Sequence, residues 1–284
     1  MSELNSQHSQ HPQQQPQQNW DTLAHSFDHW LPHLAPVTDK LINIIKPQPG
    51  DHFLDIACGT GEPALTLAQL DVKDLLISAT DSASAMIEVA KLKAQTQQLT
   101  NISFDCMKAE ALTFADHTFD ATLSRFGIML LDQPVQGLKE IHRTLKSGGR
   151  FALTVWGNPQ RMTTMQWAKH AFEGKIPNAN MPPIKRAARL GSSKLLGGAL
   201  SEAGFKNYTI ETRTLTYQFD SFEHYWETVT ASNMMKMQLD ALYRPDDKQK
   251  VIDKIATFAR SYTSDKGLRI PHEYLLAHGD SQYS

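Results

Sequence analysis

Between His52 and Trp156 the hydrophobic period of the chain switches repeatedly, and this alternation constrains the fold more than any other feature. "HFLDIA" (52–57) reads as a strand and 62–70 as a helix. "LLISAT" (75–80) is a second strand, and 84–97 sets Met86, Ile87, Ala90 and Ala94 on one helical face. "NISFDCM" (101–107) and "FDATLSRF" (119–126), with Phe119, Ala121 and Leu123 alternating, give a third and a fourth strand. Residues 134–146 align Val135, Leu138, Ile141 and Leu145 as a helix, and Ser147-Gly148-Gly149 supplies the glycines of a helix C-cap. "RFALTVW" (150–156) is the fifth strand. Strands and helices alternating at this pitch build βαβ units. The expected fold is α/β, Rossmann-like and doubly wound, with a mostly parallel seven-stranded sheet and helical cap insertions.

The rest of the 284 residues is organised around this region. Residues 1–19 are rich in Gln, His and Pro and bury too little apolar surface to offset ordering, so a disordered tail is expected. Residues 20–46 are helical in pattern, interrupted at Pro32 and Pro36, and are expected to form an N-terminal lid. The α/β core follows over 47–157, opened by the turn Pro47-Gln48-Pro49-Gly50. A cap insertion with four prolines occupies 158–192. The core continues over 193–218, a helical cap fills 219–266, and 267–284 holds a final strand, "LRIPHEYLLAHG" (268–279).

A formal net charge of -2 gives no signal for a nucleic-acid partner, and the basic run Lys185-Arg186-Ala187-Ala188-Arg189 reads as a solvated face. Two cysteines, Cys58 and Cys106, exclude a disulfide scaffold and fit a reducing compartment. No apolar run approaches the ~18 residues of a membrane span, and the N-terminus lacks a signal-peptide pattern. A cytoplasmic protein with no membrane span is the expectation.

The turn Gly59-Thr60-Gly61 lies between the first strand and the first helix, and Gly59-x-Gly61-x-x-Ala64 satisfies the dinucleotide fingerprint. An NAD-linked oxidoreductase is therefore one reading. Charge argues against it, because Asp55 and Glu62 flank the turn where a pyrophosphate would sit. Two carboxylates suit a cofactor with cationic groups and no phosphate, and S-adenosylmethionine is such a molecule. Asp81 lies 20 positions after Gly61, at the end of the second strand, where a carboxylate accepts from ribose hydroxyls. Asp81 or Ser82 also suits the N-cap of the following helix.

"FLDIACGTGEPAL", "ATDSASAMIEVA", "AEALTFADHTFD" and "LKEIHRTLKSGGRFALTVW" occur in series, and with them the chain resembles the class I S-adenosylmethionine-dependent methyltransferases. It is most similar to the group that includes the ubiquinone/menaquinone-biosynthesis C-methyltransferases. The resemblance implies that Asp55, Ala57, Gly59, Thr60 and Gly61 line the methionine and ribose side of the cofactor and that Asp81 holds the ribose diol. It places Ser82 and Met86 against adenine, Ala109 and Glu110 at the adenine edge, and Phe27 over the cofactor. Ser124, Arg125 and Phe126 fall where the family brings methyl and acceptor together, and Trp156 joins Arg125 in the acceptor pocket. Ala57 stands at a usual glycine. Lys108 replaces a usual acid and cannot accept from an adenine amino group.

Methyl transfer from a sulfonium needs an aligned acceptor and excluded water, with a general base only for a protonated nucleophile. His25, His29 and His33 are spaced by four, which on a regular helix makes one polar face. His29 is the candidate base; no zinc-ligand spacing is present, so no metal is expected. Cys58 reads as a small buried residue and His142 as structural. "SRFGIML" (124–130) lacks the Asn/Asp-Pro-Pro-aromatic run of nucleobase and amide methyltransferases, so a small molecule methylated at carbon or oxygen is favoured. The segments 158–192 and 219–266, with Met181, Met234, Met235 and Met237, are the expected cover of its pocket. A non-catalytic S-adenosylmethionine-binding protein and a macromolecule-directed methyltransferase are the remaining alternatives.

Overall fold

The structure is a computed structural model and describes residues 20–172, 188–231 and 234–282. The tail 1–19, Met181 and Lys185-Arg186-Ala187 lie outside those residues, as do the side chains of Met234, Met235 and Met237. The first five strands of the sequence pattern form one parallel array. β1 (His52–Ile56) pairs with β2 (Leu76–Asp81) and with β4 (Phe119–Arg125). β3 (Ile102–Cys106) lies outside β2, and β5 (Leu145–Trp156) lies outside β4. Phe53, Leu54, Ala121 and Leu123 are all buried in the middle of this array. Such continuous burial is what a parallel sheet covered on both faces requires. Between these strands run α3 (Ala64–Ala68), α4 (Ser84–Thr96) and α5 (Pro134–Thr144). α4 buries Met86, Ile87, Ala90 and Ala94, the stripe expected from the sequence.

Two long strands complete the sheet. β6 (Asn207–Phe219) forms one edge, and β8 (Gly267–Asp280) lies antiparallel between β5 and β6, giving the order β3-β2-β1-β4-β5-β8-β6. A two-residue strand, β7 (Thr263–Ser264), pairs with the start of β8. The sheet among the described residues thus has eight strands where the sequence predicts seven. Two residues are too few to leave a hydrophobic period, which is why β7 has no sequence signal.

The glycines expected to cap α5 serve the sheet instead. α5 stops at Thr144, Leu145 already pairs with Phe119, and Arg150 pairs with Ala121, so 146–149 bulge out of β5. Gly148 takes φ +76° there. Its N–H donates to the Ser281 carbonyl at 2.5 Å, and the Ser281 N–H donates back to the Gly149 carbonyl at 2.8 Å.

The N-terminal segment consists of α1 (Trp20–Phe27), a 3-10 turn (Asp28–Trp30) and α2 (Leu31–Ile45). Contrary to expectation, α2 continues through Pro36. The N–H that Pro36 lacks would bond the Pro32 carbonyl, one turn earlier, and both prolines are exposed so that water can take its place. α2 packs on β4, β5 and β6 and buries Leu34, Val37, Thr38, Leu41 and Ile45. Each of its apolar side chains contributes about 1.5–3 kcal/mol of transfer free energy. Arg150 Nη1 closes the end of α2 by donating to the carbonyls of Ile45 (2.8 Å) and Lys46 (2.7 Å).

The remaining helices are α6 (Thr163–Ala171), α7 (Ser193–Glu202), α8 (Phe222–Ala231), α9 (Met234–Leu242) and α10 (Pro245–Ala259). α6 packs on β8 and α10, and α8 packs on β6. Among the described residues no helix is long and apolar enough to cross a membrane.

Candidate active site

The chain winds outward from β1 to β3 and then returns to β4, so β1 and β4 mark the switch in strand order. Open α/β sheets bind ligands at the C-terminal strand ends beside such a switch. A cavity of about 690 Å³ opens there, a size typical of small-molecule sites. Ala57 and Gly59 reach it from the turn after β1, Asp81, Ser82 and Met86 from β2 and α4, and Ala109 and Glu110 from the loop after β3. Arg125 and Phe126 enter from the end of β4, and Trp156 from the end of β5. Phe27 faces it from the N-terminal segment.

Several backbone donors in and just after the glycine turn are already engaged. The Gly59 N–H donates to Asp81 Oδ2 at 2.9 Å, and the Ala64 N–H at the start of α3 donates to Asp55 Oδ2 at 3.0 Å. Glu62 Oε2 accepts from the Thr66 hydroxyl at 2.6 Å and from the Thr66 N–H at 3.3 Å. A phosphate at a helix N-terminus relies on these N–H groups being free. Three carboxylates of the chain occupy that role. Asp81 Oδ1 also accepts from the Ala83 N–H at 2.9 Å, so its carboxylate joins the turn to α4. One backbone bond on each oxygen leaves Asp81 further acceptor capacity beside the cavity. Burial pushes its carboxyl up, and the N–H groups of Ala83, Gly59 and Ser82 draw it back.

Asp55 differs from what its position in the sequence implies. It is fully buried, and its Oδ1 has no hydrogen-bond partner among the described residues. Burial pushes its carboxyl well above the usual carboxylate range, with the Arg125 guanidinium pulling the other way. A carboxylate that repels a pyrophosphate from the turn would have to face the ligand as a full charge. The structure turns Asp55 inward, where its main act is to consume a helix N–H.

Asp55, Thr60, Gly61, Ser124 and His29 are not among the residues lining the cavity. Thr60 Oγ1 donates to Asp28 Oδ1 at 2.6 Å, and Lys93 Nζ reaches the same oxygen at 2.7 Å, which fixes the 3-10 turn over the glycine turn. Gly61 has φ +107°, and a Cβ on it would come within 2.6 Å of Leu65 Cδ1. Its smallness serves packing. The Ser124 hydroxyl donates to the Ile56 carbonyl at 2.8 Å and braces β4 against β1. His25 and His29 are exposed, while His33 packs on Phe219 with ring centroids 4.2 Å apart. The 3-10 turn between them breaks the regular helix that the spacing argument assumes. Glu110 Oε1 accepts from the N–H groups of Asp132 (3.0 Å) and Gln133 (3.3 Å), so it is tied to the entry of α5.

On the other side of the cavity the Phe126 and Trp156 rings stack, with centroids 3.9 Å apart and planes 15° apart. Ala57 (φ +56°) and Phe126 (φ +59°) both hold left-handed backbone at the cavity wall. Sequence reasoning missed Trp30, Leu34, Met129, Met165 and Tyr217, all of which line the cavity. The alternation Leu215-Tyr217-Phe219 at the end of β6 is the signal that marks Tyr217 as inward-facing.

Comparison with known proteins adds sequence and fold likeness. A sequence model of the ubiE/COQ5 methyltransferase family matches residues 26–180. The ubiquinone/menaquinone biosynthesis C-methyltransferase UbiE of Geotalea uraniireducens is 31% identical over 166 residues, covering 56% of this chain and 70% of that protein. The demethylmenaquinone methyltransferase of Bacteroides fragilis is 31% identical over 159 residues, covering 54% of this chain and 64% of that protein. Among solved structures, the YcgJ protein of Bacillus subtilis superposes with a TM-score of 0.61 at 18% identity, covering 88% of this chain and 100% of that one, a likeness of fold.

Proposed function

Since the chain belongs to the ubiE/COQ5 methyltransferase family, we propose that the cavity at the ends of β1, β2, β4 and β5 is where it methylates a small planar acceptor. The chain is an S-adenosylmethionine-dependent methyltransferase, and the acceptor is a small molecule modified at carbon or oxygen. The observation that carries the site assignment is the fate of the turn N–H groups. Asp81 accepts from the Gly59 N–H, and Asp55 and Glu62 accept from the Ala64 and Thr66 N–H groups of α3, so these donors are taken from a pyrophosphate, while the Asp81 carboxylate stays at the cavity wall to accept from hydroxyls. This donor and acceptor set fits an adenosine ligand without phosphate.

When bound, S-adenosylmethionine supplies a methyl group on an electrophilic sulfonium. In this reading Asp81 accepts from the ribose diol, Met86 and Ala109 pack on the adenine, and Ala57 and Gly59 admit the methionine portion close to the backbone. Phe27 and the rest of α1 close over the opening as a lid, which excludes water. Arg125, Phe126 and Trp156 bound the acceptor side and align it for in-line attack. No nucleic-acid partner is part of the proposal. A cytoplasmic setting is, on the strength of the two free cysteines.

Titration calorimetry tests the assignment. The full chain is expected to bind S-adenosylhomocysteine and to give no heat with NAD. Asp81→Asn is expected to weaken S-adenosylhomocysteine by about tenfold or more, the scale of one charge-assisted hydrogen bond. Binding of NAD with no binding of S-adenosylhomocysteine would overturn the assignment.

A further inference from the structure

The acceptor side of the cavity contains a cation that the methyl donor gives no reason to place there. Arg125 is 8% exposed, yet it lines the cavity. Its Nη1 donates to Thr38 Oγ1 at 2.7 Å. That bond uses one of the five N–H donors of a guanidinium. Among the described residues no carboxylate lies within ion-pair distance of it. Asp55 and Glu62 act on it only at longer range, and both spend an oxygen on backbone N–H groups of α3. A buried guanidinium with most of its donors unpaired among the described residues is costly to hold unless a ligand completes it.

The neighbouring groups narrow that ligand. Tyr217 is buried, lines the same cavity, lies near enough to Arg125 to interact electrostatically, and its hydroxyl has no hydrogen-bond partner among the described residues. The stacked Phe126 and Trp156 rings and the tilted Trp30–Tyr217 pair, 5.4 Å between centroids, offer flat apolar faces. Among the described residues no histidine lines the cavity. His272, directly behind Tyr217 at 4.4 Å between ring centroids, is already engaged by Thr164 and the Ile270 carbonyl. The site therefore presents a cation, a phenol and planar walls, and no imidazole to remove a proton.

We propose that Arg125, with Tyr217 beside it, anchors a delocalised oxyanion on a planar acceptor, which therefore enters the site already ionised. This rests on the methyltransferase reading of the cavity and adds the charge state of the acceptor to it. An acceptor held as its anion needs no base to generate its nucleophile, in keeping with the lining. The oxyanion is a carboxylate conjugated to the ring or an ionised acidic ring hydroxyl, and both match the fork of a guanidinium.

The test uses the full chain saturated with S-adenosylhomocysteine and two pairs of shape-matched probes. One pair is 2-naphthoate and 2-naphthamide; the other is ionised 2-hydroxy-1,4-naphthoquinone and its 2-methoxy ether. At pH 7.5 at least one anion is expected to bind about tenfold or more tightly than its neutral twin, and the pair that discriminates names the source of the oxyanion. Arg125→Gln is expected to abolish that preference while S-adenosylhomocysteine affinity stays within about twofold, and Arg125→Lys to restore part of it. Equal binding within both pairs, binding of no probe, or an Arg125→Gln variant that keeps the preference would each overturn the inference. If Arg125→Gln fails to fold, the comparison within each pair on the unaltered chain decides alone. Failure of the chain to bind S-adenosylhomocysteine at all would instead remove the reading on which the inference stands.

Discussion

His272 on β8 is 1% exposed, with Nδ1 3.1 Å from the Ile270 carbonyl and Nε2 2.8 Å from Thr164 Oγ1. A proton on Nδ1 donates to that carbonyl and leaves Nε2 to accept from the Thr164 hydroxyl, so the folded ring is satisfied when neutral. Burial pulls its pKa from 6.5 down to about 4, against the Ile270 carbonyl. Below pH 6.5 the unfolded chain takes up this proton and the folded chain does not, so stability falls with pH until about 4 and then levels. The full loss is on the order of 3 kcal/mol. Urea denaturation between pH 7 and 4 checks it: His272→Gln is expected to lose that part of the acid sensitivity. Gly61→Ala is a second residue-scale prediction. The added methyl meets Leu65 and Ala90 and the backbone is left-handed, so a loss of about 1–3 kcal/mol in thermal unfolding is expected. The sequence marked Gly61 as special but not why, since a spacing pattern does not distinguish a glycine facing a ligand from one facing a neighbouring helix.

At the level of elements, the α1 segment is held down by few bonds. Asp28 pairs with Lys93 at 2.6 Å and accepts from Thr60, and Asp21 Oδ1 accepts from the Ala85 N–H at 2.8 Å. The Asp28 and Lys93 side chains are 38% and 23% exposed, so solvent screens the pair and it is worth about 0.5–1 kcal/mol. Asp28→Ala is therefore expected to leave global stability within about 1 kcal/mol. If the segment is the proposed lid, the substitution is expected to speed S-adenosylhomocysteine release severalfold in stopped-flow measurements. The strands of the parallel array were legible because burial on both faces forces apolar runs into the sequence. The cluster of Asp28, Thr60 and Lys93 was not, because its members come from three separate segments of the chain. The helical cap expected over 219–266 likewise holds three helices among the described residues, since amphipathic stripes persist across a short break such as the one before Pro245.

On the scale of the whole molecule, the last strand is an interior strand of the sheet. β8 is paired along both sides, with β5 from Arg150 to Trp156 and with β6 from Asn207 to Phe219. A Cβ on Gly279 would collide with the Asn207 carbonyl oxygen. Gly279→Val is expected to lower stability by about 3 kcal/mol or more, and removal of residues 267–284 to abolish cooperative unfolding followed by circular dichroism. The sequence showed that this strand exists, yet not where it inserts. Period and turn chemistry are local, whereas strand neighbours are set by contacts more than a hundred residues apart, such as Arg150 with Asp280.

The run from α1 through α2 contributes at both ends of the cavity, because Phe27 covers the glycine turn while Thr38 holds the Arg125 guanidinium. On the proposed reading, one continuous piece of backbone is both shutter and brace. Any change in its pitch moves the two together, so variants that alter how long the donor resides are bound to alter which acceptor is accepted. Exchanging residues 20–45 between relatives should transplant both traits as a unit.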